Sequence, residues 1–234
     1  MSLARTDATP LAPFRFIIVG AGRCGTGYMS KVFQSAGVEC GHETVFGPHG
    51  LQAAKALREA HPELEAEASW LAVPYLTLPL LQSASVIHLV RDPWRVLASF
   101  VSLPIFRTMT PFSRFIHEHQ PHVFGHATAV DKAAAYILCW NRWIEALVGV
   151  RRIVHRVEDD PATLLHRLNI TPNASPMFSD KNYNHRGEPA EIRLEDIADQ
   201  RLRREFVEFA QEYGYQAAAE PREPCFTASL SVNS

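Results

Sequence analysis

The sequence predicts a three-layer α/β fold: a parallel sheet with a phosphate-loop (P-loop-type) nucleotide-binding core. Three observations predict it. Apolar runs of strand length alternate with helix-length segments through the first hundred residues. The first run, FRFIIV, leads straight into VGAGRCGTGYM (Val19–Met29), a glycine-rich turn that opens a helix. A second run, VIHLV at Val86–Val90, ends in Arg91-Asp92-Pro93, where Asp92 fits a helix N-cap and Pro93 the first helical position. At 234 residues the chain suits one α/β domain and is short for two. The expected domain covers 1–234, with 1–13 a flexible lead and 215–234 a loose tail.

The elements follow in order. Phe14–Val19 reads as the first strand and Gly25–Ala36 as the first helix, with Gly37 placed to cap it. Val38–Cys40 is a short strand running into GHETVF. Leu51–Ala60 is helical and stops near Pro62. Glu67–Val73 reads as a strand and Pro74–Gln82 as a short helix, before the Val86 strand and the Pro93 helix. From Leu103 to Ala127 the pattern breaks. Prolines 104, 111 and 121 and histidines 117, 119, 122 and 126 predict a long irregular stretch of the kind that forms lids and binding loops. Ala129–Val148 is a long helix, Arg152–Val157 a strand and Asp160–Leu168 a helix. Asn169–Pro189 reads as loop and Glu195–Tyr213 as a charged amphipathic helix.

Bulk properties exclude several classes. Lys and Arg total 23 against 25 Asp and Glu, a net charge of −2. No general attraction to nucleic acid or to an anionic membrane is expected, so any anion binding must be local. The four cysteines show no paired metal or disulfide spacing, which suits reduced thiols in a cytoplasm. MSLARTDATPLAP lacks the apolar core of a signal peptide, and no apolar run is long enough for a membrane span.

The glycine turn carries the first chemistry. Gly20, Gly22 and Gly25 let the backbone approach an anion, and the helix N-terminus presents unpaired N–H groups and a positive dipole end. A nucleoside-triphosphatase loop would place lysine after the last glycine. Here Thr26 follows Gly25, and the nearest cation is Arg23. That departure points away from ATP hydrolysis and toward another phosphate-bearing donor. Thr26 fits a hydroxyl donor to the same phosphate or a plain helix residue. Cys24 reads as filler. Arg91 stands at the carboxyl end of a strand, where open α/β sheets bind ligands, and a guanidinium fork suits phosphate oxygens.

Together, Arg23-Cys24-Gly25-Thr26 and the strand-Arg91-Asp92-Pro93 segment with Ser99 eight residues beyond Arg91 resemble the sulfotransferase family. The resemblance runs from about Phe14 to Phe100. It implies 3′-phosphoadenosine-5′-phosphosulfate as sulfuryl donor and no metal. It assigns the 5′-phosphosulfate to Gly22–Gly27 and the 3′-phosphate to Arg91 and Ser99. It gives Tyr28 an adenine-stacking role, although packing inside the first helix serves as well. Arg186 and Gly187, in NYNHRG, fall where the family has a late loop over the nucleotide. HETVF is related to an acidic-aromatic run whose glutamate acts as base in heparan-type members. Glu43 is therefore the first choice for the general base and His42 the second, with Arg23 stabilising the departing phosphate oxygen. The K-T-H-like motif of phenol and steroid sulfotransferases is absent. The start near the first strand resembles a soluble, bacterial-type member.

The expected acceptor is a small molecule or carbohydrate bearing a hydroxyl or amine. Oligomeric state is not readable. A nucleotide kinase and a non-catalytic nucleotide-binding module remain as alternatives. Elsewhere, His88 reads as a satisfied core histidine, Asp92 as a cap and Arg95 as a solvated helix residue. The 117–126 histidines fit no zinc spacing. Ser69 and Trp70 either face the acceptor or join the core.

Overall fold

Among the described residues five short strands form one sheet: β1 (Phe16–Val19), β2 (Cys40–His42), β3 (Ala66–Ala68), β4 (Ser85–Val90) and β5 (Arg152–Arg156). All pairings are parallel and the order is β2-β3-β1-β4-β5. The structure is a computed structural model, and it describes residues 13–171 and 191–216. Parallel sheets are covered on both faces, so their strands read as continuous apolar runs. FIIV in β1 and SVIHLV in β4 are buried throughout. Successive side chains alternate between two cores. Ile17, Val19 and Val86 face one; Phe16, Ile18, Ile87 and Leu89 face the other.

Among the described residues seven α-helices complete the layers: α1 (Thr26–Ser35), α2 (Gly50–Ala60), α3 (Pro93–Val101), α4 (Pro111–His119), α5 (Ala129–Glu145), α6 (Pro161–Arg167) and α7 (Gln200–Glu212). α1 and α6 pack on one face through Met29, Val32, Phe33, Leu164 and Leu165. The larger core on the other face draws on α2, α3, α4, α5 and α7, with Ala54, Leu97, Phe115, Tyr136, Trp140 and Phe206 among its residues. The predicted three-layer α/β arrangement is thus the observed one. Among the described residues no helix is long and apolar enough to cross a membrane.

The structure departs from the sequence reading in several elements. The stretch expected to be irregular from Leu103 to Ala127 contains α4. Thr110 and Ser113 form a capping box at its start, and Pro111 occupies the first turn, where a missing N–H does no harm. The strand expected over Glu67–Val73 ends at Ala68. Ser69 then accepts the Leu71 N–H through its side chain and turns Trp70–Tyr75 into a 3-10 helix. The helix expected over Pro74–Gln82 reduces to another 3-10 turn, Pro79–Leu81. Gly25 is the N-cap of α1 rather than its first residue, and Gly37 lies just beyond the helix at φ 85°. His88 is fully buried in β4 as expected, but only half satisfied: its Nε2 lies 2.8 Å from Asn141 Oδ1, while its buried Nδ1 has no hydrogen-bond partner among the described residues.

Candidate active site

The β1–α1 turn is built for close backbone approach. Arg23 and Gly25 both take left-handed φ angles, 69° and 103°. Such a conformation is uncommon for arginine and marks a backbone held by its surroundings. At Gly25 a side chain would also sit 2.8 Å from Val157 Cγ2. At Gly27 a Cβ would stand 3.2 Å from the His42 ring, and at Gly22 3.0 Å from Phe100 Cζ. α1 has no side-chain cap at its N-terminus. The Thr26 N–H lies against the Cys24 sulfur, and the N–H groups after it have no side-chain cap and keep their capacity for something outside the helix. Such a cradle, flanked by cations and filled if a Cβ were added, fits a phosphate or sulfate group.

Two arginines flank the cradle. Arg23 Nε donates to Ser99 Oγ at 2.9 Å, and Arg91 Nη1 donates to the Arg23 carbonyl at 3.2 Å. Ser99 therefore meets Arg23 across from α3, and Arg91 reaches the same turn from the end of β4. No ion pair holds Arg91 among the described residues. Gly22 N–H donates to the Tyr136 hydroxyl at 2.8 Å, which fixes the turn from α5. Cys24 is buried, and burial pushes its thiol up to about 12, which keeps it protonated and suits a structural residue of the turn. Tyr28 is almost fully buried, joins the α1 core and still lines the cavity with its remaining surface. Arg186 and Gly187 lie outside the described residues.

The second strand supplies the carboxylate. Glu43 directly follows β2 at a left-handed φ of 53°. Burial raises its pKa above the ordinary carboxylate value, partly offset by a hydrogen bond from the Trp70 side chain and by the nearby charge of Arg23. His42 Nε2 lies 3.3 Å from Thr26 Oγ1 and 3.9 Å from Glu43 Oε1. Burial, with Lys31 nearby, lowers the His42 pKa and favours the neutral imidazole. The turn that carries Glu43 is pinned by Glu67 of β3. Glu67 is fully buried, and its Oε1 accepts the Val45 N–H at 2.9 Å. Burial raises its carboxyl to about 7, against the backbone hydrogen bonds that lower it. Gly41 makes room for it, since a Cβ there would stand 2.0 Å from Glu67 Oε2.

Most of these groups line one cavity of about 450 Å³; Ser99, Cys24, Tyr136 and Glu67 stand behind its lining. Gly22, Arg23, Gly25, Thr26, Gly27, Tyr28 and Arg91 line one end, with His42 and Glu43 beside them. Trp70, Phe100, Leu103, Pro104, Ile105, Thr110 and Phe112 line the rest. Sequence reasoning left Trp70 undecided, singled out Leu103–Ala127 as a candidate binding loop without naming the residues that wall the cavity, and missed Glu67, Phe100 and Tyr136. A glutamate between two alanines in a strand was the readable signal for Glu67. Tyr136 gave none, because its partner lies 114 residues away. Among the described residues, no group of three or more His, Cys, Asp or Glu side chains is placed to hold a metal ion.

No protein-family model and no curated protein sequence matches the chain. Among solved structures it is similar to the sulfotransferase domain from the curacin biosynthetic pathway. The TM-score is 0.47 and the identity 16%, over 88% of this chain and 99% of that one. A likeness of that degree bears on neither donor nor acceptor.

Proposed function

We propose that this protein transfers a sulfuryl group from 3′-phosphoadenosine-5′-phosphosulfate to an acceptor hydroxyl or amine. One observation carries the reading: a single cavity has an uncapped helix N-terminus with Arg23 and Arg91 at one end and a desolvated carboxylate, Glu43, beside it. The R-C-G-T turn and the Arg91/Ser99 spacing favour this donor over ATP. The N–H groups opening α1, with Arg23 and Thr26, would hold the 5′-phosphosulfate, and Arg91 with Ser99 the 3′-phosphate. When bound, the donor supplies the activated sulfuryl group. Arg23 and the α1 N–H groups are aimed where negative charge develops. Glu43 accepts the acceptor's proton at a carboxylate oxygen. Its raised pKa brings it closer to the operating pH, where a general base is most effective. His42 sits against Thr26 and is the less direct candidate, since its Nε2 already faces the cradle.

The test is label transfer. Purified protein is given radiolabelled phosphosulfate or γ-labelled ATP with a panel of acceptors, each with and without excess chelator. The reading expects transfer from phosphosulfate that survives the chelator, because the turn lacks the lysine with which a kinase loop works beside Mg²⁺ and offers Arg23, at a different position, as its fixed cation. Transfer from ATP that the chelator abolishes would establish the kinase instead. Nucleotide binding without transfer to any acceptor would favour a non-catalytic module.

A further inference from the structure

The half of the cavity away from the cradle is walled mainly by carbon. Trp70, Phe100, Leu103, Pro104, Ile105 and Phe112 form its wall. Trp70 anchors it. Its ring stacks obliquely on Phe112 at 6.0 Å and packs edge-on against Phe115, Tyr136 and Trp140. The wall is continuous with the reactive end: a Cβ added at Gly22 of the turn would meet Phe100 at 3.0 Å and Trp70 at 3.5 Å. Phe112, Leu103 and Ile105 are only partly buried, so they retain surface for a ligand. Met109, in the same segment, is one of two large apolar side chains left exposed among the described residues. Apart from the cradle and its arginines, the polar side chains on the cavity are Glu43, His42 and Thr110, since the Tyr28 hydroxyl is buried and the Trp70 side chain already hydrogen-bonds Glu43.

We propose that this wall is a binding site for an apolar-bodied alcohol, aryl or branched alkyl, whose single hydroxyl is directed at Glu43. Apolar carbon laid on Trp70, Ile105 and Phe112 leaves water with a gain in free energy. A saccharide would bring several hydroxyls against carbon and leave them without partners, which is costly. This narrows the acceptor away from carbohydrate. That the occupant is the acceptor rests on the sulfuryl-transfer reading; that the wall takes an apolar body does not.

The experiment separates the two. Calorimetry of the full chain is run with 2-naphthol and with methyl β-glucoside, first without nucleotide. Naphthol is expected to bind at least about tenfold more tightly than the glucoside. Ile105→Asn and Leu103→Asn, each checked by thermal melting for a wild-type transition, are expected to weaken naphthol about tenfold. Equal or tighter glucoside binding, no naphthol heat, or naphthol affinity unmoved in both folded variants would overturn the proposal. Label transfer from phosphosulfate to naphthol is then assayed. Naphthol binding that is lost in the variants, without any transfer, would leave the apolar site standing and count against the sulfuryl-transfer reading alone.

Discussion

Two strand–helix junctions lie side by side at the carboxyl ends of β1 and β4, which are paired in the sheet. They finish their helices in opposite ways. At the β4 junction, Asp92 caps α3 by accepting the Trp94 N–H at 3.0 Å, and Pro93 follows in the first turn. At the β1 junction, Gly25 stands at the cap position with φ 103° and contributes no side chain, so α1 is left open. Asp caps also close α6 and α7, through Asp160 and Asp199. A carboxylate satisfies a helix end that serves only packing, and it would repel an anion from one that must bind it. The difference teaches where a ligand's charge is wanted: at α1, between Arg23 and Arg91, and not at α3.

Four outcomes break or sharpen that comparison. The largest concerns Glu67, a buried carboxylate that does for the 43–46 turn what Asp92 does for α3. Its folded pKa, about 7, lies above the ordinary 4.5, so the folded state binds the proton more tightly than the unfolded one. Its contribution to stability is fully present below about pH 4.5 and is lost as pH rises through about 7. Glu67→Gln should remove on the order of 3 kcal/mol of that pH dependence, read from denaturant midpoints across the window. An unchanged profile would mean that Glu67 does not titrate there.

Glu43 comes next, since it belongs to neither junction. Glu43→Gln should lower turnover on the order of 10²-fold while leaving affinity for adenosine 3′,5′-bisphosphate in place. In the wild type, turnover should fall as pH drops through a value above 4.5, because burial keeps Glu43 protonated to higher pH. Retained turnover in the variant would move the base to His42. Arg91→Ala should weaken the bisphosphate roughly tenfold or more, the loss of about 1.5–3 kcal/mol expected for a charged partner. The smallest effect is at the closed junction. Asp92→Ala should cost about 1 kcal/mol of stability through the lost cap and leave bisphosphate affinity where it was. A large loss of affinity there would show that the two junctions are not separate in function.

What the sequence disclosed follows the range of the interactions. β1, β4 and the turn between Val19 and Met29 were legible because burial on both faces and glycine conformation leave local marks. The uncapped α1 could be inferred from Gly25 standing where Asp92 stands in its neighbour. α4 was also legible in principle, since Thr110, Pro111 and Ser113 spell a helix start, yet its proline and histidines read as breakers. β3 was overextended because Trp70 and Val73 carry strand propensity that Ser69 overrides by capping a 3-10 turn. Long-range partners left no trace. Tyr136 meets Gly22, Ser99 meets Arg23 and Glu67 meets Val45 only after the sheet has formed. The apolar wall is likewise a product of tertiary structure, assembled from Trp70, Phe100 and the segment expected to be irregular.

The measurement that bears most directly on the open junction is calorimetry of wild-type protein with adenosine 3′,5′-bisphosphate and with AMP, side by side at one ionic strength. The two ligands share the 5′-phosphate that the α1 cradle would hold and differ in the 3′-phosphate assigned to Arg91 and Ser99. The account predicts that the bisphosphate binds at least about tenfold more tightly, and that AMP alone still binds measurably. Equal affinities would contradict the role given to Arg91. Failure of both to bind would contradict the claim that α1 is left open for a phosphate at all.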